Sequence, residues 1–139
     1  MERSCLTSWR ATATLVACAM IGCACAAVAA ERAFPFGSEL MLDVAPMKGS
    51  KRVPSLEIDA QGVAQIDLWC NSVNGQMVVA GDTITILTGN KTDRSCPPER
   101  AQADDDVLAA LTGVTNWRRE GDILTLIGSR TMRFRVQTN

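Results

Sequence analysis

From residue 39 onward the chain is a succession of short runs in which apolar and polar residues alternate. Leu40, Leu42 and Val44 alternate with Glu39 and Asp43, Leu56 and Ile58 with Glu57 and Asp59, and Ala64, Ile66 and Leu68 with Gln65 and Asp67. A period of two puts the apolar side chains on one face, so each run predicts a half-buried strand. Ala60-Gln61-Gly62 turns the chain between the second and third runs. Asn74-Gly75 predicts a tight turn, because both residues accept positive φ. Two hairpins of like design follow: Gln76–Ala80 and Thr83–Leu87 flank Gly81-Asp82, and Asn116–Arg119 and Ile123–Ile127 flank Gly121-Asp122. A last strand is expected over Thr131–Gln137, with Met132, Phe134 and Val136 on one face and Arg133, Arg135 and Gln137 on the other.

One segment departs from this period. Between Pro98 and Thr112, the residues Ala103, Val107, Leu108 and Leu111 recur at helical spacing, with proline at the start and Gly113 just past the end. Those are the punctuation marks of a helix. Asp104-Asp105-Asp106 lies inside it, near Glu99 and Arg100. The run reads as a solvated helix face rather than a metal site, since calcium loops space their oxygens along a turn with a glycine. The expected fold is therefore α+β: seven or eight short strands in a mostly antiparallel, curled or barrel-like sheet, with one inserted helix at about 98–112. The helix should pack on one face or plug an open end.

The first thirty residues have a different character. Arg3 and Arg10 precede an uncharged run from Ala11 to Ala30, rich in Ala, Cys, Val, Leu and Ile. This is the order of a secretory signal peptide, with Val28 and Ala30 at the small-residue positions of a cleavage site. The expected division is a signal over 1–30 and a single domain over 31–139. Twenty apolar residues could also span a bilayer as an anchor, but an Ala-rich run with a cleavable end favours removal. Met20-Ile21-Gly22-Cys23 offers a third reading, a lipobox in which Cys23 is lipidated and becomes the mature N-terminus. Cleavage and lipidation alike direct the protein to the periplasm or cell envelope, with membrane attachment only if Cys23 carries a lipid.

The domain that remains has 109 residues, enough for one modest core. Twelve basic residues stand against fourteen acidic ones from Glu31 onward, a balance that argues against nucleic acid as a partner. The chain contains no histidine and no tyrosine. Without histidine it lacks the usual general base for a Ser or Cys nucleophile and the commonest transition-metal ligand. No phosphate-cradling glycine loop and no spaced carboxylate pair stands out, so neither a catalytic residue nor a cofactor is expected.

Two cysteines lie beyond the leader, in Trp69-Cys70-Asn71 and Cys96-Pro97-Pro98. In an oxidising compartment they are expected to pair. The bridge would close a loop of about 26 residues, and loop-closure entropy then gives about 3.5 kcal/mol. A redox-active pair is the competing reading: Cys96 precedes a helix, which lowers a thiol pKa, but the Cys-x-x-Cys spacing is missing.

The order Trp69-Cys70-Asn71, Gly75, Gly81-Asp82, Thr92-x-x-Ser95-Cys96, Val107-Leu108-Ala109-Ala110-Leu111 and Gly121-Asp122-x-Leu124-x-Leu126 resembles the META domain family, that of the heat-shock protein HslJ. The likeness runs from about Phe36 to Val136. The resemblance marks Trp69, Asn71, Gly75, Thr92, Asp104, Leu108 and Leu111 as motif positions. Trp69 stands where the family has glycine, Arg94 where it has methionine, Ser95 where it has alanine, Leu40 where it has an early tryptophan, Asp104 where it has glutamate and Val107 where it has an aromatic. The resemblance implies a small barrel-like envelope domain, linked to stress, with no established catalytic residues. The expected function is a non-enzymatic envelope protein that binds an unidentified protein or amphiphile. The alternative is a small periplasmic hydrolase inhibitor acting through exposed loops at Asn71–Gly75 and Asn90–Ser95.

Overall fold

The computed structural model describes residues 33–137; the expected leader, its cleavage site and Cys23 lie outside the described residues. Eight strands and one helix follow in the order β1 (Glu39–Leu42), β2 (Ser55–Ile58), β3 (Val63–Asp67), β4 (Ser72–Ala80), β5 (Thr83–Lys91), α1 (Pro98–Thr112), β6 (Val114–Glu120), β7 (Ile123–Gly128) and β8 (Met132–Val136). Every strand pairs antiparallel with its neighbours in sequence, and β1 pairs with β8 through Leu40–Val136, Met41–Arg135 and Leu42–Phe134. The sheet is thus a closed eight-stranded barrel, which makes definite the curled or barrel-like sheet expected from alternation. Closure leaves neither the first nor the last strand as an exposed edge.

Alternation decides what fills the interior. Leu40, Leu56, Ile58, Ala64, Ile66, Leu124, Leu126 and Phe134 are each no more than 1% exposed. Their strand neighbours Glu39, Glu57, Gln65, Arg133 and Arg135 lie on the outside. A barrel of eight strands has an interior just wide enough to be filled by its own side chains.

The seam between β5 and β6 is thinner than the others. β4 and β5 pair at seven positions and β6 and β7 at six, whereas β5 and β6 share the single pair Thr83–Asn116. Trp117 fastens that seam: its backbone N–H donates to the Asp82 carbonyl and its indole N–H to the Gly81 carbonyl, each at 2.9 Å. The Phe34 ring packs edge-on against the indole, with centroids 5.1 Å apart. The cause of the thin seam is the insertion of α1 between the two strands.

Two expectations need correction. Asn74-Gly75 is not a turn; it lies within the nine-residue β4, at a register shift between Val73 and Gly75. The glycine is demanded there by a close approach, since a Cβ on Gly75 would stand 2.5 Å from the Leu87 carbonyl oxygen. The tight turns are instead at Gly81 (φ 60°) and Gly121 (φ 58°), as the hairpin pattern predicts. The second correction concerns the acidic run. Asp105 and Asp106 are exposed, but Asp104 is fully buried.

The helix begins on Pro98 and ends before Gly113, and it buries Ala110 and Leu111 while Val107 and Leu108 pack partly against the core. It is joined to the start of β4 by the Cys70–Cys96 disulfide, whose Cα atoms are 6.1 Å apart.

Candidate functional site

Three of the motif residues, Asn71, Thr92 and Asp104, meet around that disulfide. Cys70 and Asn71 form the connection between β3 and β4, Thr92 and Arg94 follow β5, and Asp104 projects from the second turn of α1. The Asp104 carboxylate accepts three hydrogen bonds: from the Cys70 backbone N–H (3.2 Å), the Asn71 backbone N–H (2.9 Å) and the Asn71 side-chain amide (3.0 Å). The same amide lies 3.2 Å from Cys96 Sγ. On its other side the Asn71 side-chain oxygen Oδ1 accepts from the Thr92 hydroxyl (2.9 Å) and the Arg94 backbone N–H (3.0 Å). Thr92 Oγ1 in turn accepts from the Ser72 N–H at 3.0 Å.

This explains why a carboxylate is tolerated inside the domain. A buried charge is costly unless hydrogen-bonded, and charge-assisted bonds are stronger than neutral ones. Asp104 receives three donors that the chain reversal after β3 would otherwise leave unpaired. The three acids were indistinguishable by composition. Helical period separates them: Asp104 falls one turn before Leu108 and two before Leu111, on the face turned to the barrel. Asp105 faces outward and pairs with Lys91.

The remaining motif positions serve elsewhere. Leu111 is in the core and Leu108 packs beside it, while Gly75 admits the β5 backbone. Asn71 is 6% exposed and Ser72–Gly75 belong to β4, so the loop expected at Asn71–Gly75 is not a free surface. The stretch Thr92–Ser95 is exposed.

Trp69 lies beside this knot, half-buried, and forms a wall of two surface depressions. The first is a groove of about 420 Å³ between α1, the end of β1 and the β7–β8 turn. Leu42, Val44, Trp69, Val107, Ala110 and Met132 line it, and the charged groups Asp43, Asp106, Arg130 and Arg133 stand among its lining too. The second, about 360 Å³, is polar and bears Lys51, Arg52 and Arg94 together with Glu39 and Asp67. Sequence reasoning identified Trp69 as a motif position but missed the grooves. The walls of the first run from Leu42 to Arg133 and those of the second from Glu39 to Arg94, separations that no local pattern connects.

A 420 Å³ depression with an apolar lining and a few polar groups falls within the range of small-ligand sites, about 300–1,000 Å³. The knot, by contrast, spends its polar groups on one another and on backbone, which is the behaviour of a structural clamp. A comparison with protein-family models matches the META domain over residues 38–139. Searches of curated proteins and of solved structures each returned no match. The matched span takes in the whole barrel from β1 to β8, the helix and both disulfide cysteines, and the chain belongs to the META domain family.

Proposed function

We propose that this chain is a non-catalytic, exported binding protein of the cell envelope, serving under stress, which receives a protein or amphiphile in the groove beside Trp69. The observation that carries the reading is that groove, where Leu42, Val44, Val107, Ala110 and Met132 converge from three separate segments on a half-buried tryptophan. Apolar side chains gathered in a concavity gain by shedding water onto a ligand. The uncharged run Ala11–Ala30 and the staple between Cys70 and Cys96 support an oxidising, exported setting. The absence of histidine from the sequence supports a role without acid–base chemistry.

A photo-reactive amino acid at Val44, which is 47% exposed on the groove, tests the reading in intact envelopes. Ultraviolet cross-linking should produce a reproducible adduct, either a shifted protein band or a small mass increment by mass spectrometry. An unmodified monomer as the sole product would overturn it. The inhibitor reading loses one of its two recognition loops, since Asn71–Gly75 is buried or in strand.

A further inference from the structure

We infer that the occupant of the groove is a single-chain amphiphile with one acidic headgroup, taken up as a free monomer; the inference rests on the groove being a binding site. Three features point to this chemistry. The floor is built from Leu42, Val44, Ala103, Val107, Ala110 and Met132, none of which carries a side-chain hydrogen-bond donor. A peptide laid there would leave its own amides unpaired, and each buried unpaired amide weakens binding. An alkyl chain has none to leave, and it gains the whole apolar contact.

Second, the rim is not electrically even. The Asp43 carboxylate is paired with Arg135 at 3.0 Å, whereas Asp106 accepts only from the neutral Gln102 amide at 3.2 Å, so its charge offsets one of the two arginines on the rim. Arg130 and Arg133 have no ion-pair partner among the described residues, and both are exposed on the β7–β8 side of the mouth. A guanidinium pair beside an apolar slot matches a carboxylate or phosphate at the end of a chain, because the planar fork binds both anions bidentately.

Third, Trp69 lines both this groove and the second depression, where Lys51, Arg52 and Arg94 stand with Glu39 and Asp67. In that second depression the basic groups exceed the acidic ones by one, against the slightly acidic balance of the whole chain, and this neighbouring surplus disfavours a cationic amphiphile.

Isothermal titration of the purified protein with monododecyl phosphate, dodecanoate, dodecyl maltoside and dodecyltrimethylammonium, each below its micelle concentration, tests the assignment. Both acidic amphiphiles should bind, with affinity at least roughly tenfold above the neutral and cationic ones, as two exposed charge pairs would provide. The double variant Arg130→Glu/Arg133→Glu should abolish that preference, bringing the two acidic amphiphiles to or below the affinity of dodecyl maltoside. Ala103→Phe, a change on the partly exposed floor, should weaken all four ligands together. Equal binding of all head types overturns the acidic headgroup and leaves the groove standing. Binding of none, with the Val44 cross-link to a protein intact, overturns the amphiphile and leaves the broader reading. Binding only to phosphatidylglycerol vesicles, with no uptake of monomers, overturns the free-monomer source.

Discussion

Asp104 is the residue on which the local architecture turns. Its carboxylate receives Cys70 N–H, Asn71 N–H and the Asn71 amide, so Asp104→Asn would replace one acceptor oxygen by an amide donor facing buried donors and would remove the charge that strengthens the bonds. A loss of about 3 kcal/mol is expected, read as a lower urea midpoint. Asp105→Asn, on the exposed side, should change stability by no more than about 0.5 kcal/mol. Two neighbouring acids with the same composition thus differ several-fold in consequence. A run of three aspartates on a helix reads as solvated because charge is usually outside. What the sequence does not carry is the trio of backbone and amide donors brought to that point by a chain reversal 33 residues upstream. The likeness to the family's acidic helix position marked the residue; only the three-dimensional partner set explains it.

At the level of elements, alternation was a reliable guide wherever a strand has one wet face. β8, the β6–β7 hairpin and the β4–β5 turn follow the pattern within a residue or two. It failed where two strands cross closely. Asn74-Gly75 has the composition of a turn, yet the small residue is needed because β5 passes over it. Gly75→Ala should therefore cost about 1–3 kcal/mol through forced displacement of backbone, far more than a turn that tolerates alanine. The same substitution at Gly75 should leave the far-UV circular dichroism strand signal in place, with the thermal midpoint lowered. The helix-to-strand staple is the other element-level device. Reduction of Cys70–Cys96 should remove about 3.5 kcal/mol by loop-closure entropy and lower the melting temperature by roughly 15 °C or more. Differential scanning calorimetry with and without dithiothreitol measures it, and a shift of a degree or two would show that the knot holds the segments without the bond.

On the scale of the whole molecule, seven joints of the barrel have three or more strand pairs and one has a single pair. The β5–β6 seam depends on one strand pair and on Trp117, so local opening should begin there. Hydrogen exchange should find the amides of β5 beyond Thr83 less protected than those of β7. Trp117→Phe, which keeps most of the packing but forfeits the indole bond to Gly81, should cost about 1 kcal/mol and raise exchange on both sides of the seam. Nothing in the periodicity of β5 or β6 announces this weakness, because it arises from the fifteen-residue helix placed between them.

Direct pairing of β1 with β8 brings Glu39 and Gln137 within one hydrogen bond of each other. The domain is consequently suited to circular permutation: a short linker could join these ends while new ends open at an exposed turn. Opening at Gly121-Asp122 would preserve the segment closed by the disulfide. Opening at Gly81-Asp82 would place Cys96 ahead of Cys70 in the chain and enlarge the closed loop to roughly 80 residues, strengthening the crosslink by about 1 kcal/mol. One barrel, threaded in two orders, would then separate what the sulfur bridge contributes through chain topology from what it contributes through the contacts around it.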